Sequence, residues 1–452
     1  MIAPARVAAY EILSAISGGR ADLPSAIAHA RPTLHDERDR ALAAEIATGV
    51  QRWRAQLDFL ITSFSKRTIQ SLDPEIVEIL RLSSYQLLHL SRVPAAAVVD
   101  DAVNFVGRVR KKSARGFVNA VLRSMSRQRS TLPLPARPSD AGSGGALDYL
   151  AITLSHPRWL AERWLDRLRF DTAEKWLQFN NQPAPVTLRA NRIKTTAEDL
   201  RARLSRIDVE THAGRYAPDA LIVDAGHPLR DPGHDAGAFV VQDEASQLVT
   251  LLAGANPGRL VLDTCASPGG KATAIAASLA QGARLVACDV RERRVELLRR
   301  TVRATGAEQV AIAQADVERP LPFTRAFNCV LVDAPCSGLG TLRRDPDIKW
   351  RRHEGELAGL AVAQLAMLRN AADVVADGGR LIYATCSSEP EENEHVAAAF
   401  LALRPDFRAL DARRAHPLLP SDVVDARGHL RTTPSEHGLE SFFGAVFERL
   451  SS

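Results

Sequence analysis

From residue 239 onward, short apolar runs alternate with stretches of helical period, and this rhythm constrains the fold more than any other feature. The runs cover 260–264, 284–289, 310–316, 327–333 and 380–385, and a strand-like segment at 442–450 closes the chain. Strands that alternate with helices imply right-handed crossovers and a parallel sheet covered on both faces. In an open sheet of that kind the carboxyl ends of the strands form the ligand crevice. Two cysteines lie just past such ends: Cys336 in Asp333-Ala334-Pro335-Cys336, and Cys386 in Tyr383-Ala384-Thr385-Cys386-Ser387. Both thiols are therefore expected to face one substrate.

A glycine turn follows the first of these strands, in Asp263-Thr264-Cys265-Ala266-Ser267-Pro268-Gly269-Gly270-Lys271. Gly269 and Gly270 let a ligand approach the backbone, and the helix after them offers free N–H groups. The loop is neither GxGxxG nor GxxxxGK[ST], so a dinucleotide or a P-loop nucleotide is not indicated. Asp289 ends the second strand, about twenty residues on, where a carboxylate suits ribose hydroxyls. Asp316 ends the third and is placed to accept from an adenine amine; Asp333 ends the fourth. Carboxylates at successive strand ends suit S-adenosylmethionine better than a pyrophosphate cofactor.

The rest of the chain divides by composition. Residues 1–130 have an all-helical pattern, with apolar residues at helical spacing in Leu42, Ile46, Val50, Trp53, Leu57 and Leu60. Asp73-Pro74-Glu75 is a helix start in which Asp73 caps and Pro74 fills the first position. Residues 131–147 are rich in Pro, Gly and Ser and form the expected linker. A small α+β domain is expected over 148–238, with helices near 157–169 and 196–204 and strands near 186–190 and 221–223. The α/β domain then takes 239–452.

Charge is uneven. Residues 1–130 hold 19 Lys+Arg against 12 Asp+Glu, leaving 39 against 41 for the remainder. No acidic residue occurs from 102 to 139, where Arg108, Arg110, Lys111, Lys112 and Arg115 cluster. Such a stretch attracts phosphates by counterion release, or is a solvated helix face. The five cysteines form no CxxC pair, so neither a disulfide framework nor a zinc site is expected, and no metal is called for. Cys288 and Cys329, inside apolar runs, are expected to be plain buried thiols. The first 19 residues have an amphipathic helical pattern rather than a signal peptide's apolar core. No long uncharged apolar run is present, so no membrane association is expected and the cytoplasm is the expected location. A monomer is the expected state.

Three motifs together are specific. Asp263 to Lys271, Asp333-Ala334-Pro335-Cys336-Ser337-Gly338-Leu339-Gly340-Thr341, and Tyr383 to Ser387 followed by Pro390-Glu391-Glu392-Asn393-Glu394 resemble the RNA 5-methylcytosine methyltransferases. Within them the chain is similar to the bacterial Sun/Fmu (RsmB-type) branch, which methylates a cytosine of 16S ribosomal RNA. The likeness extends to a NusB-like helical N-terminal domain, to Gln242-Asp243-Glu244-Ala245-Ser246 and to Arg343-Arg344-Asp345-Pro346-Asp347-Ile348-Lys349-Trp350. Ser267 replaces a usual alanine, and Leu439-Glu440-Ser441 departs from the usual Asp-Gly before Phe442-Phe443.

The resemblance implies a Rossmann-like catalytic domain that uses S-adenosylmethionine. Cys265, Ala266, Ser267, Pro268, Gly269, Gly270 and Lys271 would surround its methionine part, with Asp289 at the ribose and Asp316 at the adenine. Asp333 would lie by the methyl donor and the target base, and Arg294 matches a recurrent arginine. Cys386 would be the nucleophile and Cys336 would assist product release. Carbon 5 of cytosine is too weak a nucleophile to take a sulfonium methyl directly, whereas a thiolate added at carbon 6 makes it enamine-like. The thiolate is favoured by nearby positive charge, for which Lys271 is a candidate. Three alternatives stay open: a tRNA or other RNA as substrate, a DNA-type Pro-Cys nucleophile at Cys336, and a non-catalytic RNA-binding module of antitermination type. The basic cluster is the expected contact to small-subunit rRNA.

Overall fold

A computed structural model describes residues 2–139, 144–230 and 236–451. It comprises two compact units, Met1–Gln182 with Leu342–Glu354, and Pro183–Thr341 with Gly355–Ser452.

The first unit is helical. Its helices are α1 (Pro4–Ser17), α2 (Leu23–Ala30), α3 (Glu37–Ser65), α4 (Pro74–His89), α5 (Ala95–Arg108) and α6 (Arg115–Arg127). Apolar stripes meet in a core containing Leu13, Ile46, Leu57, Leu60, Ile79, Phe105 and Leu122. A buried arginine on each of two helices fastens that core. Arg6 reaches Asp101 and Gln86, and Arg81 reaches Asp58 and Glu78. Asp22 and Asp36 cap α2 and α3 through the N–H groups of Ser25 and Arg38. The expected cap by Asp73 is not made. Its carboxylate pairs with Lys111 Nζ at 3.1 Å, while Pro74 still opens α4.

The expected linker is not a free tether. Leu132 and Leu134 pack on the helical core, and Arg137 grips Glu174 and Asp171. Residues 140–143 of that segment lie outside the described residues. Two further helices, α7 (Arg158–Leu168) and α8 (Phe170–Asn180), pack with this unit. Composition alone hid the second of them. Its aromatic residues, Phe170, Trp176 and Phe179, are buried. The segment Leu342–Glu354 belongs here too, although the chain on either side of it belongs to the second unit. Lys349 is fully buried and donates to Arg52 O, Ser155 O and Asn181 Oδ1 at 2.9, 2.7 and 3.3 Å. Trp350 Nε1 donates to Gln51 O.

The second unit holds two sheets. Strands β1 (Thr187–Ala190), β2 (Glu210–Ala213), β3 (Ala220–Ala225) and β4 (Phe239–Val241) form an antiparallel sheet in the order β2-β3-β1-β4, backed by α9 (Ala197–Ser205). The sequence starts the α/β domain at residue 239, ahead of its first sheet strand at 260. Instead β4 pairs with β1, because Phe239 closes the small core of Leu188, Leu200, Leu204 and Leu221.

Beyond α10 (Glu244–Leu251) the large sheet begins. It comprises β5 (Leu260–Asp263), β6 (Arg284–Asp289), β7 (Val310–Gln314), β8 (Phe327–Asp333), β9 (Val375–Thr385), β10 (Phe407–Leu410), β11 (Leu430–Thr432) and β12 (Phe442–Arg449). Its order is β10-β12-β9-β8-β5-β6-β7, with β11 on β12. Strands β5 to β9 are parallel as expected, but β12 pairs antiparallel with β9, and β10 and β11 pair antiparallel with β12, so the sheet is mixed. Helices α11 (Gly270–Ala276) and α12 (Glu292–Thr305) follow β5 and β6, and α13 (Glu356–Ala372) and α14 (Glu394–Leu403) flank β9. The period-2 pleat sends alternate residues to opposite faces. Val261, Leu331 and Ile382 meet Leu248, Ile275 and Leu298, while Leu262, Val330 and Tyr383 meet Leu368 and Phe400. Both faces are covered, which explains the near-continuous apolar strands.

Candidate active site

Strand β8 pairs with β9 so that Asp333 stands opposite Ala384. The turns that leave these two strands therefore begin side by side. Cys336 and Cys386 lie in them, both half-buried, with their sulphurs 3.2 Å apart. The Cys336 thiol is pushed well above the ordinary cysteine range, first by its hydrogen bond to Cys386, then by burial. The two thiols thus share one hydrogen bond, and Cys336 is the one whose thiolate its surroundings disfavour.

Lys271, on the first turn of α11, extends Nζ to 2.7 Å from Asp333 Oδ2 and lies over the Phe442 ring at 5.7 Å. Burial works against its charge, but Asp333, and Cys386 beyond it, hold the ammonium above its usual value. A cation, a carboxylate and two thiols so converge at the carboxyl rim of β5, β8 and β9.

The glycine loop is fixed from below. Gly269 has φ +110°, and a side chain there would press on Leu298 and Thr301 at 3.0 and 3.1 Å. Ala266 N donates to Cys288 O, Ser267 N donates to Asp289 Oδ2 at 3.3 Å, and Arg294 ties Ser267 O to Asp289. Asp289 is buried at the tip of β6, as expected from sequence, and its inner oxygen already holds the loop. Asp316 lies two residues past the end of β7 rather than within it, accepts from Glu318 N, and is partly exposed. Cys265 is half-buried, and burial raises its thiol pKa. Cys288 and Cys329 are fully buried, their thiols pushed up to about 12 by burial, as befits packing residues.

Two carboxylates and an arginine do not stand out in the sequence. Asp263 ends β5 at zero exposure, and neither of its oxygens accepts a hydrogen bond of ordinary geometry. Burial, and then the Asp333 charge, push its pKa up to about 7. Arg189 of β1 is buried and donates to Gln242 Oε1, Gly270 O and Thr273 Oγ1, so the small sheet clamps the start of α11. Burial lowers its pKa to about 10. Glu392, in the turn before α14, is fully buried beneath both cysteine turns. Its place in Pro390-Glu391-Glu392-Asn393 was the available signal; Arg189 left none.

The departure at Leu439-Glu440-Ser441 has a local meaning. Ser441 N donates to Gly340 O, and Gly340 N donates to Cys386 O, both at 3.0 Å. A Cβ on Gly340 would fall 2.0 Å from Ser441 O, so only glycine lets the three backbones meet.

The site fits S-adenosylmethionine: a glycine-bounded loop, carboxylates at successive strand tips and a buried carboxylate, Asp263, without a hydrogen bond of ordinary geometry. Cys265 to Lys271 and Asp289 would hold it, with Asp316 at the outer end. Among the described residues no cluster of side chains could hold a metal ion, and no helix is long and apolar enough to cross a membrane. The basic cluster lies in the helical unit at the α5–α6 turn. Arg108 pairs with Glu11 and Lys111 with Asp73, while Arg110, Lys112 and Arg115 are exposed.

Comparison with known proteins agrees with this architecture. Residues 249–448 match the family described as 16S rRNA methyltransferase RsmB/F, residues 3–127 the NusB family, and residues 156–230 a ferredoxin-like domain of RsmF/B-like methyltransferases. The chain is 34% identical over 415 residues to ribosomal RNA small subunit methyltransferase B of Pseudomonas putida, covering 90% of this chain and 91% of that one. It is 30% identical over 456 residues to the protein of the same name from Pseudomonas syringae, covering 99% and 97%. In fold it is similar to the crystal structure of PH0851, with a TM-score of 0.82 at 24% identity over 99% of both chains. The chain belongs to the 16S rRNA methyltransferase RsmB/F family and is an S-adenosylmethionine-dependent RNA methyltransferase.

Proposed function

We propose that the protein methylates carbon 5 of a cytosine in 16S rRNA, with Cys386 bonded to carbon 6 during the transfer. The observation that carries this reading is the thiol pair, whose sulphurs lie 3.2 Å apart in the turns that leave two adjacent strands. A methyltransferase acting on nitrogen or oxygen has no use for two adjacent thiols at its strand tips. The Cys336 thiol is held above its ordinary range by its neighbour and by burial, which argues against it as the attacking sulphur.

Cys386 Sγ adds to carbon 6 of the cytosine, and the ring electrons pass to carbon 5. The bound cofactor supplies the electrophilic methyl group. Lys271 steadies the Cys386 thiolate by its positive charge and, through its ion pair, holds Asp333 toward the exocyclic amine of the base. Once carbon 5 is methylated, its proton passes to solvent, and the electron pair left behind re-forms the ring double bond as the carbon–sulphur bond breaks and its electrons return to Cys386, beside the Cys336 thiol. Arg108, Arg110, Lys111, Lys112 and Arg115 would meet RNA phosphates, which set register rather than sequence. A target base inside a stem must be splayed out to reach the thiols.

Nucleoside mass spectrometry of 16S rRNA tests this reading in cells with and without the gene. Loss of one 5-methylcytosine, restored by the wild-type chain and not by Cys386→Ala, is expected. An unchanged 16S rRNA with loss of the mark from tRNA would move the substrate, and no loss anywhere would favour a binding role.

A further inference from the structure

Beneath the two thiols lies a fully buried carboxylate, Glu392, whose oxygens are taken up by donors of the protein. Glu392 Oε1 accepts from Ser337 N at 2.8 Å and from Gln364 Nε2 at 2.9 Å, and Oε2 accepts from Ser387 Oγ at 2.5 Å. Ser337 and Ser387 immediately follow Cys336 and Cys386, and their own hydroxyls are 3.1 Å apart. Each cysteine turn is thus tied to the same side chain one residue past its sulphur. Glu392 is itself held: the Tyr383 hydroxyl donates to its carbonyl, and Gln364 also reaches Pro335 O on the Cys336 turn. The next residue, Asn393, takes the Thr385 hydroxyl and donates to Ser387 O at 3.0 Å. A buried carboxylate persists only where donors surround it, and here three donors, two of them from the cysteine turns, do so. A surface turn of this length needs no such fastening to fold, and a carboxylate under apolar strands is a costly way to fill space.

We propose that Glu392 is the positioning residue of the reaction, a brace that sets the distance between the nucleophilic and the releasing thiol. This rests on the two-thiol reading above, but it makes its own demand. Without the brace the two turns part, and the thiols lose register while cofactor binding survives. A misplacement of about 1 Å at a reacting group is enough to cost roughly 10²-fold in rate. Glutamine at this position keeps the brace, since its oxygen accepts from Ser337 and Gln364 and its amide donates to the Ser387 hydroxyl.

The test reads thiol separation without reference to methylation. Diamide takes two hydrogens from a thiol pair, leaving a disulfide and the hydrazine, and the Cys336–Cys386 link is followed by peptide mapping of the full-length protein. Wild type and Glu392→Gln should close the link within about threefold of each other, and Glu392→Ala at least about tenfold more slowly. In methylation, Glu392→Ala should lose about 10²-fold in kcat with KM for S-adenosylmethionine within about threefold, and Glu392→Gln should recover most of it. Ser387→Ala, which removes one of the three donors to Glu392, decides the matter if Glu392→Ala does not fold, and should slow both readouts severalfold. Closure and kcat at wild-type levels in Glu392→Ala, or in Ser387→Ala in that second case, overturn the proposal; so does an equal fall in the alanine and glutamine variants, which would mark a role for charge. Methylation that survives Cys386→Ala would instead sink the two-thiol reading, and the diamide result would stand apart from it.

Discussion

Cys336 and Cys386 bring their sulphurs to 3.2 Å from the turns that follow two neighbouring parallel strands. Fifty residues separate them in sequence, and the register of β8 on β9 erases that distance. The Cys336 thiol is pushed up by its neighbour and by burial, which fits the proposed division of work between the two.

Lys271, paired with Asp333, brings a fixed positive charge to the same rim. Lys271→Met should lower the single-turnover rate of methylation by about 10²-fold, in line with removal of one preorganised electrostatic group from an active site. Asp333 loses its partner in the same variant, so the affinity for RNA should fall less than the rate. Rapid-quench measurement with labelled cofactor separates the two.

Asp263 predicts a pH signature of stability. Its pKa is about 7 in the folded chain against 3.8 for an ordinary aspartate. Between those values the unfolded chain has released a proton that the folded chain keeps, so stability falls as pH rises through this window. The loss levels off above about pH 7 at no more than about 4 kcal/mol. The Tm of Asp263→Asn minus that of wild type should therefore rise from about pH 4 to about pH 7 and then stay flat. A difference that does not change with pH would show that Asp263 is ionised throughout.

Lys349 anchors the segment Leu342–Glu354 within the helical unit through three oxygen acceptors. Lys349→Met keeps the apolar stem and strands those acceptors in a dry site, at a cost of about 3–5 kcal/mol. The first thermal transition should drop, and trypsin should cut within 342–354 much faster than in wild type. Unchanged cleavage would mean that Trp350 and the chain ends suffice to hold the segment.

Much of the site is legible in the sequence because its chemistry sits at strand tips, where apolar runs stop and a polar residue begins. Asp289, Asp333, Cys336 and Cys386 lie at such stops. The thiol pairing needs more than position, since only strand order puts β8 next to β9. Arg189 and Glu392 escape for different physical reasons. Arg189 comes from another sheet, about eighty residues before the loop it clamps, and no local pattern marks it. Glu392 sits among three other acidic residues, and burial alone separates it from a solvated turn. The fold departs from expectation where pairing overrides rhythm. β4 reads as the start of the α/β domain yet completes the small sheet, and the antiparallel β12 looks in sequence like one more parallel strand. The linker differs from a tether because Pro-rich composition says nothing of Leu132, Leu134 and Arg137, which find partners.

The most direct test of the account is a denaturing gel of Cys336→Ala protein incubated with S-adenosylmethionine and small-subunit rRNA. With the releasing thiol gone, the Cys386–carbon 6 bond should persist, giving a slow-migrating protein–RNA band that vanishes in the Cys336→Ala, Cys386→Ala double variant. No band with methylation intact, or a band that survives loss of Cys386, would contradict the roles assigned to the two thiols.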